Sequence, residues 1–248
     1  MATLTGKTAL VTGAGRGIGA AIARRLAADG ARVIVHYSQS AAKAEALVAE
    51  LTASGAEADT VQGDLASLDA VDAMVATLRG KVDGIDILVN NSGRGSGRSD
   101  STLAGMSVED YDTIFSLNTR ALFFVTQRVL PLLRDGGRII NISSTAIDAR
   151  VPGLAAYAGS KAAVDCFTRV WATELAPRRI TVNSIQPGMV DTDLITDNMG
   201  EEVKQVAARH HPLGRIGQPD DLADVVAFLA GPDSRWVNGQ IIIANGGI

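Results

Sequence analysis

Short runs of β-branched and other apolar residues alternate with alanine-rich amphipathic stretches along almost the whole chain. Continuous apolar runs are typical of strands that are buried on both faces, whereas apolar positions three or four residues apart indicate helices. The pattern predicts seven strands, at 8–12, 32–37, 58–62, 85–90, 138–143, 180–186 and 240–244. It predicts helices near 18–29, 41–53, 68–79, 107–133, 154–176 and 220–230.

This alternation of strands and helices predicts a parallel sheet with right-handed crossovers and helices on both faces. We find no linker, low-complexity segment or internal repeat, so we expect one doubly wound α/β domain over residues 1–248 with a seven-stranded parallel sheet. Two connections, 94–107 and 187–219, are longer than the others and follow the fourth and sixth strands. Because open α/β sheets bind ligands at the carboxyl ends of their strands, we expect the site there, with a substrate loop or lid at about 188–218.

Composition and charge narrow the function classes. Hydrophobic residues make up 46% of the chain and charged residues 20%, which is an ordinary globular balance. The net charge of −4 disfavours a nucleic-acid or anionic-membrane surface. The N-terminal residues lack a signal-peptide pattern and no apolar run approaches the roughly 18 residues of a membrane span, which predicts a cytoplasmic protein. The single cysteine, Cys166, has apolar neighbours that predict a buried structural thiol.

A glycine-rich turn follows the first predicted strand and precedes the first predicted helix. Residues 13–19 contain four glycines, of which Gly13, Gly17 and Gly19 have the spacing Gly-x-x-x-Gly-x-Gly. Glycines permit a tight turn and let backbone N–H groups approach a pyrophosphate, which also faces the positive end of the helix. The turn therefore predicts a dinucleotide-binding site.

The end of the second strand indicates which nicotinamide cofactor binds. A carboxylate there would hold the ribose 2′-hydroxyl of NAD, but the strand ends with His36, Tyr37 and Ser38, and the next acid, Glu45, lies in the following helix. Arg16 in the glycine turn could pair with a 2′-phosphate. We therefore predict NADPH/NADP+ rather than NADH/NAD+. His36 itself could be a surface residue at the end of the strand.

The spaced glycines, together with a Tyr-x-x-x-Lys pair at Tyr157 and Lys161, resemble those of the single-domain short-chain dehydrogenase/reductase family, and the resemblance covers essentially the whole chain. It implies a Rossmann fold and a cofactor site. That site would comprise Gly13, Arg16, Gly17, Ile18, Gly19, Tyr37, Ser38, Asp64, Leu65, Asn91, Gly93, Tyr157, Lys161, Pro187, Gly188, Val190 and Thr192. Asp64 would hold the adenine amino group, although an aspartate there could simply cap a turn. Ser92 stands where the family usually has alanine.

The same resemblance implies the catalytic residues Ser144, Tyr157, Lys161 and Asn118. Tyr157 and Lys161 share a helix face because they are four residues apart, and Ser144 precedes the tyrosine by 13 residues. A phenol near pKa 10 is a poor proton donor at neutral pH, so we expect the Lys161 ammonium to lower the pKa of Tyr157. Ser144 would donate a hydrogen bond to the carbonyl oxygen. Asn118 would distort its helix and hold a water that relays protons, although it could also be an ordinary buried polar residue.

The predicted reaction is reduction of a free ketone, reversible as alcohol oxidation. The resemblance to the family also implies a homotetramer that pairs the 107–133 and 154–176 helices. Relatives that reduce 3-oxoacyl groups on acyl carrier protein carry basic residues where this chain has Arg134 beside an acid and, at a second position, Thr173. Carrier-linked reduction and NAD-linked alcohol dehydrogenation stay open as alternatives, as does a non-catalytic nucleotide-binding regulator. No metal is expected, because His210 and His211 have no carboxylate at metal-binding spacing.

Overall fold

A seven-stranded parallel sheet organises the part of the chain that the computed structural model describes, which is residues 3–95, 101–192 and 204–248. The strands are β1 (Thr8–Val11), β2 (Arg32–Tyr37), β3 (Ala58–Gln62), β4 (Ile85–Asn90), β5 (Leu133–Ile142), β6 (Thr181–Pro187) and β7 (Ile241–Ala244). Their order in the sheet is β3-β2-β1-β4-β5-β6-β7. The chain winds outward from β1 in one direction and from β4 in the other, so a crevice opens between these two strands at their carboxyl ends.

Helices cover both faces of the sheet. They are α1 (Gly17–Ala28), α2 (Ala41–Ala53), α3 (Leu68–Lys81), α4 (Val108–Phe115), α5 (Leu122–Val129), α6 (Ala155–Glu174) and α7 (Pro219–Ala230), and residues 204–210 are also helical. A π-helical segment, Ser116–Ala121, joins α4 to α5, and short 3₁₀ turns occur at Thr145–Ile147, Ala176–Arg178 and Pro232–Ser234. The predicted fold class is confirmed.

Successive side chains of a strand point to opposite faces of the sheet and pack into two apolar cores, one on each face. On β2, Val33 and Val35 join α1, α2 and α7 in one core, whereas Ile34 joins α3, α5 and α6 in the other. All six residues of β4 are buried. Burial of each such aliphatic side chain contributes about 1.5–3 kcal/mol, so the sheet is a rigid base for the loops at its carboxyl edge.

Two local predictions, and the open alternative that His36 is a surface residue, are wrong. The stretch predicted as one helix over 107–133 is α4, the π-helical segment and α5, and Leu133 already belongs to β5. Cys166 is exposed on α6 rather than buried, because Val164 takes the inward-facing position. His36 is 1% exposed, since the glycine turn covers the end of β2.

In the described ranges, no helix is long and apolar enough to span a membrane.

Candidate active site

A cleft of about 760 Å³ lies at the carboxyl edge of the sheet. The predicted site residues that line it are Gly13, Arg16, Gly17, Ile18, Gly19, Ser38, Asp64, Leu65, Asn91, Gly93, Ser144, Tyr157, Lys161, Pro187, Gly188, Val190 and Thr192. Two predicted site residues lie elsewhere. Tyr37 packs against the apolar core, and Asn118 is completely buried behind the wall of the cleft.

The glycine turn requires its glycines for steric reasons. Gly13 and Gly17 have positive φ angles of 62° and 55°, which favour glycine. A Cβ atom on Gly19 would lie 2.5 Å from both the Asn91 side-chain nitrogen and the Gly13 carbonyl oxygen. Helix α1 begins at Gly17, and its first turn has N–H groups without intrahelical partners. This close-packed turn fits a dinucleotide pyrophosphate.

Side chains from β1 and β4 hold the turn in place. Asn91 donates from Nδ2 to the carbonyl oxygens of Thr12, at 2.9 Å, and Gly13, at 3.2 Å. The Thr12 hydroxyl oxygen accepts from the backbone N–H groups of Asn91 and Ser92, at 2.9 and 3.0 Å. The loop after β4 and the glycine turn therefore form one hydrogen-bonded unit.

The far end of the cleft contains the residues predicted to choose between the two nicotinamide cofactors. Arg16 is exposed at the start of α1, and Ser38 lies at the end of β2. Asp64 accepts a hydrogen bond from the Ala66 N–H at 3.1 Å, so it caps a turn while it also lines the cleft. No carboxylate at the end of β2 opposes a phosphate on the ribose.

Tyr157 and Ser144 meet at the opposite end of the cleft. Tyr157 lies in the first turn of α6 and is partly buried, and both Tyr157 and Ser144 line the cleft. Burial raises the pKa of the phenol above its ordinary value, and the contact with Ser144 opposes that shift. The net shift is therefore upward, opposite to the lowered pKa predicted for Tyr157. A phenol with a raised pKa keeps its proton at neutral pH.

Lys161 lies one helical turn further along α6 and is 4% exposed. Its ammonium donates to the Ile142 carbonyl oxygen at 2.8 Å and lies 6.0 Å from the centre of the Tyr157 ring. Burial lowers the pKa of Lys161 to about 8, and the negative charge of Asp165 opposes that shift. Asp165 is itself buried, with its carboxylate accepting from Ser184 at 2.7 Å and from Gln186 at 2.6 Å.

Asn118 lies in the π-helical segment. Its Oδ1 accepts from the Arg94 N–H at 2.7 Å, and its Nδ2 donates to the Arg94 carbonyl at 2.9 Å and to the Ser160 hydroxyl at 3.0 Å. A Cβ atom on Gly93 would lie 3.2 Å from both Asn118 Oδ1 and Lys161 Nζ. Asn118 thus ties the loop after β4 to α6 directly behind Lys161.

The loop after β6 closes the cleft. Thr145 donates to the Pro187 carbonyl oxygen at 3.1 Å, and a Cβ atom on Gly188 would lie 2.8 Å from the Asn245 side chain. Val190 and Thr192 complete this wall. Residues 193–203 of the predicted substrate loop or lid lie outside the described residues.

Several site residues were not identified from the sequence. Arg94 and Ser116 line the cleft from the loop after β4 and the π-helical segment. Asp165 was recognisable in principle, because it is four residues after Lys161 and shares its helix face. The sequence indicated a special role for His36 more weakly, because it shows only a polar residue near the end of a largely apolar strand. Among the described residues, no group of three or more His, Cys, Asp or Glu side chains could hold a metal ion.

A close-packed glycine turn that fits a dinucleotide, with a protonated phenol in the same cleft at the end opposite Arg16, is typical of a nicotinamide-dependent oxidoreductase. A family model described as enoyl-(acyl carrier protein) reductase matches residues 13–248. A hydroxynaphthalene reductase-like protein of Metarhizium brunneum is 43% identical over 99% of this chain and 96% of its own length. A 3-oxoacyl-[acyl-carrier-protein] reductase of Synechocystis is 42% identical over 100% of this chain and 99% of its own.

Solved structures agree with these relatives. A short-chain dehydrogenase of Burkholderia cenocepacia, crystallised in complex with NADP, has a TM-score of 0.90 and 40% identity, with 99% of this chain and 98% of that chain covered. With similarity of this extent along its whole length, the chain belongs to the short-chain dehydrogenase/reductase family. The family resemblance drawn from the sequence is confirmed.

Proposed function

We propose that the protein is an NADPH-dependent reductase of free ketones. The observation that carries this proposal is the protonated Tyr157 phenol, which lines the dinucleotide cleft together with Ser144 at the end opposite Arg16. The protonated phenol can donate to an oxygen on which negative charge develops, because an alkoxide is a stronger base than a phenolate. Ketone reduction starts from this protonated form, whereas alcohol oxidation starts from the phenolate.

The chain's own residues do the proton chemistry and the positioning. When bound, the nicotinamide supplies or accepts the hydride. Tyr157 donates its proton to the carbonyl oxygen, and Ser144 stabilises the charge that builds on that oxygen. Lys161 keeps a positive charge behind the phenol and stabilises the phenolate left after proton transfer. Asn118 fixes the wall behind Lys161, and the proton relay through a water near Asn118 remains part of this proposal.

Residues at the far end of the cleft support NADPH over NADH. The exposed guanidinium of Arg16 can pair bidentately with a 2′-phosphate, and the Ser38 hydroxyl can donate to it. A carboxylate would repel that phosphate, and β2 ends without one. The Burkholderia cenocepacia relative was crystallised with NADP.

A free ketone suits this surface better than a carrier-linked substrate. Arg134, which could have contacted an acidic carrier, donates to the buried Asp86 carboxylate at 2.7 Å and packs against Gly84. Thr173 occupies the second position, and the chain carries a net charge of −4. Reduction of 3-oxoacyl groups on a carrier is the second candidate, favoured by the 42% identity to the Synechocystis reductase.

The segment 188–218 is the proposed substrate loop of this single domain. Its two ends pair with each other, since the Asp191 N–H donates to the Gly217 carbonyl at 2.8 Å and the Gly217 N–H donates to the Met189 carbonyl at 3.0 Å. These two hydrogen bonds fix the base of the proposed substrate loop beside the cleft.

The proposed assembly is a homotetramer in the cytoplasm. Phe123 of α5 packs edge-on against Phe167 and Trp171 of α6, with ring centres 5.4 Å apart in each pair. The neighbouring Val170 is 49% exposed, which leaves apolar area for a second copy. The single cysteine is an exposed free thiol, which suits a reducing compartment. Sedimentation of the purified protein tests the assembly.

One panel of assays tests the proposed function. Aliphatic and aromatic ketones, a 3-oxoacyl group on acyl carrier protein, and secondary alcohols are each assayed with NADPH and with NADH. We expect the highest kcat/KM with a free ketone and NADPH. A higher kcat/KM on the carrier-linked substrate would establish the second candidate, equal or better use of NADH would overturn the cofactor assignment, and no turnover of any substrate would overturn the proposal.

A further inference from the structure

His36 is a buried histidine that the reaction proposed above does not use. It lies near the end of β2, just before Tyr37, and its side chain reaches the floor of the cleft beneath the glycine turn. A buried histidine ring carries two nitrogens that both need partners, because each would otherwise lose its hydrogen bond to water. The partners of these nitrogens show what the residue does.

The two ring nitrogens join two different loops. The Gly13 N–H donates to Nδ1 at 3.1 Å, so Nδ1 carries no proton. In a neutral ring Nε2 then carries the proton, and it lies 3.0 Å from the Gly63 carbonyl oxygen, to which it donates. Burial lowers the pKa of His36 to about 4, which keeps the ring neutral near pH 7 and preserves these opposite roles.

Both loops belong to the cofactor site. Gly13 begins the glycine turn, and Gly63 directly precedes Asp64 and Leu65, which line the far end of the cleft. The backbone also joins β2 to the glycine turn, since the His36 carbonyl oxygen accepts from the Ala14 N–H at 2.9 Å. The imidazole therefore spans the distance between the part of the cleft that fits the pyrophosphate and the part that fits the adenine.

Gly13 is held on both sides by side chains. Its N–H donates to His36 and its carbonyl accepts from Asn91 at 3.2 Å, and its φ of 62° is a conformation that glycine adopts readily. Because the Gly13 N–H donates to His36, it is not available to a pyrophosphate. We expect the N–H groups of the first turn of α1 to donate to the pyrophosphate instead.

We propose that His36 is a positioning residue for the dinucleotide, which fixes the glycine turn through Gly13 and sets its distance from the Asp64 loop through Gly63. It touches neither the substrate nor the reacting atoms. The inference rests on the proposed NADPH-dependent activity and adds a residue that determines cofactor affinity. An ordinary buried polar residue would affect stability alone, whereas a positioning residue affects cofactor binding in the folded protein.

Three substitutions separate the two contacts. His36→Asn retains an acceptor near the Nδ1 position but cannot reach Gly63, His36→Gln retains a donor near the Nε2 position but offers Gly13 no acceptor, and His36→Leu loses both. For each purified full-length variant, the Kd for NADPH is measured by fluorescence titration. Steady-state KM for NADPH and kcat are measured with a saturating ketone, below the melting temperature of every variant.

A matched control has a buried bridging side chain outside the cleft. Asn183, on β6, is 1% exposed; it donates to the Val237 carbonyl at 2.8 Å and accepts from the Gln240 N–H at 3.0 Å. Asn183→Leu should lower the melting temperature but leave the Kd for NADPH unchanged. It therefore measures what the loss of a buried hydrogen-bonding side chain does by itself.

We expect His36→Leu and His36→Gln to raise the Kd and KM for NADPH by about tenfold or more, because both leave the buried Gly13 N–H without its acceptor. The value of kcat should be nearly unchanged. His36→Asn should raise the Kd less, by about threefold, because it keeps the Gly13 acceptor and loses only the contact with Gly63. If the leucine variant does not fold, the comparison of asparagine with glutamine decides. Wild-type affinity in the glutamine variant, or a fall in kcat with unchanged Kd, would overturn the inference. A wild-type protein that binds no NADPH would instead overturn the proposed function.

Discussion

The Lys161 ammonium lies 6.0 Å from the centre of the Tyr157 ring and donates its hydrogen bond to the carbonyl oxygen of Ile142, not to the phenol. The two residues share one face of α6, and the ammonium is anchored at the end of β5. Its positive charge therefore stabilises the phenolate form of Tyr157 from the face of the ring, without a direct hydrogen bond. Burial meanwhile raises the pKa of the phenol and lowers that of the ammonium, so the pair can carry one proton each at neutral pH.

The first prediction concerns the proton donor. Tyr157→Phe removes the hydroxyl and keeps the ring, so the packing of α6 is preserved. We expect kcat for ketone reduction to fall by at least about 100-fold, the usual size of a general-acid contribution. The Kd for NADPH and the melting temperature should stay near wild type, which shows that the loss is chemical. Turnover near the wild-type rate would exclude Tyr157 as the donor.

The second prediction is a pH profile set by Lys161. The ammonium is charged below its pKa of about 8 and neutral above it, so kcat/KM for ketone reduction should fall as the pH rises through about 8. The charged and titratable groups that face it are Asp165 on α6 and Tyr157. Asp165→Asn removes the negative charge that favours the ammonium and should move this fall to lower pH by about one unit.

A charge effect can be separated from a packing effect by Ser184→Ala. This variant removes one hydrogen bond to Asp165 and keeps its carboxylate, so the midpoint of the pH profile should not move. An unchanged midpoint in Asp165→Asn would contradict the assigned effect of its charge on Lys161.

The fold could be predicted because its signals are local. Each predicted strand lies within one residue of the observed one at both ends, apart from the early start of β5 at Leu133. The prediction of one helix over 107–133 failed because amphipathic periodicity does not register the extra residue of a π turn. Asn118 marks that irregularity, and its partners Arg94 and Ser160 lie 24 and 42 residues away in the sequence.

Site residues in short-range patterns could be predicted, whereas properties that depend on contacts distant in the sequence could not. The glycine turn and the Tyr157–Lys161 pair are short-range patterns and could be read directly. The burial of His36 depends on a turn 23 residues earlier, and the state of Tyr157 depends on how deeply α6 packs beside Ser144. Neither property is encoded in the residues next to it, so a surface position for His36 stayed open as an alternative and a lowered pKa was wrongly predicted for Tyr157.

The third prediction concerns cofactor choice. Arg16→Gln removes the guanidinium that we expect to pair with the 2′-phosphate of NADPH. The ratio of kcat/KM with NADPH to kcat/KM with NADH should fall by about tenfold or more, because a charge-assisted hydrogen bond is lost for only one cofactor. Arg24→Gln is the matched control, since Arg24 lies on α1 but pairs with Glu50 at 2.7 Å away from the cleft. Equal ratios in both variants would contradict the role of Arg16.

The fourth prediction compares two glycines. At Gly19 a Cβ atom would lie 2.5 Å from the Gly13 carbonyl, which is backbone and cannot move aside, so Gly19→Ala must distort the glycine turn. At Gly80, in the last turn of α3, a Cβ atom would have no neighbour within 4 Å. We expect Gly19→Ala to destabilise the protein by about 2 kcal/mol and to weaken NADPH binding, as steric overpacking does. Gly80→Ala should stabilise it by about 0.5 kcal/mol through helix propensity alone. Urea unfolding and NADPH titration measure both effects, and equal NADPH affinity in the two variants would show that the turn does not depend on its third spaced glycine.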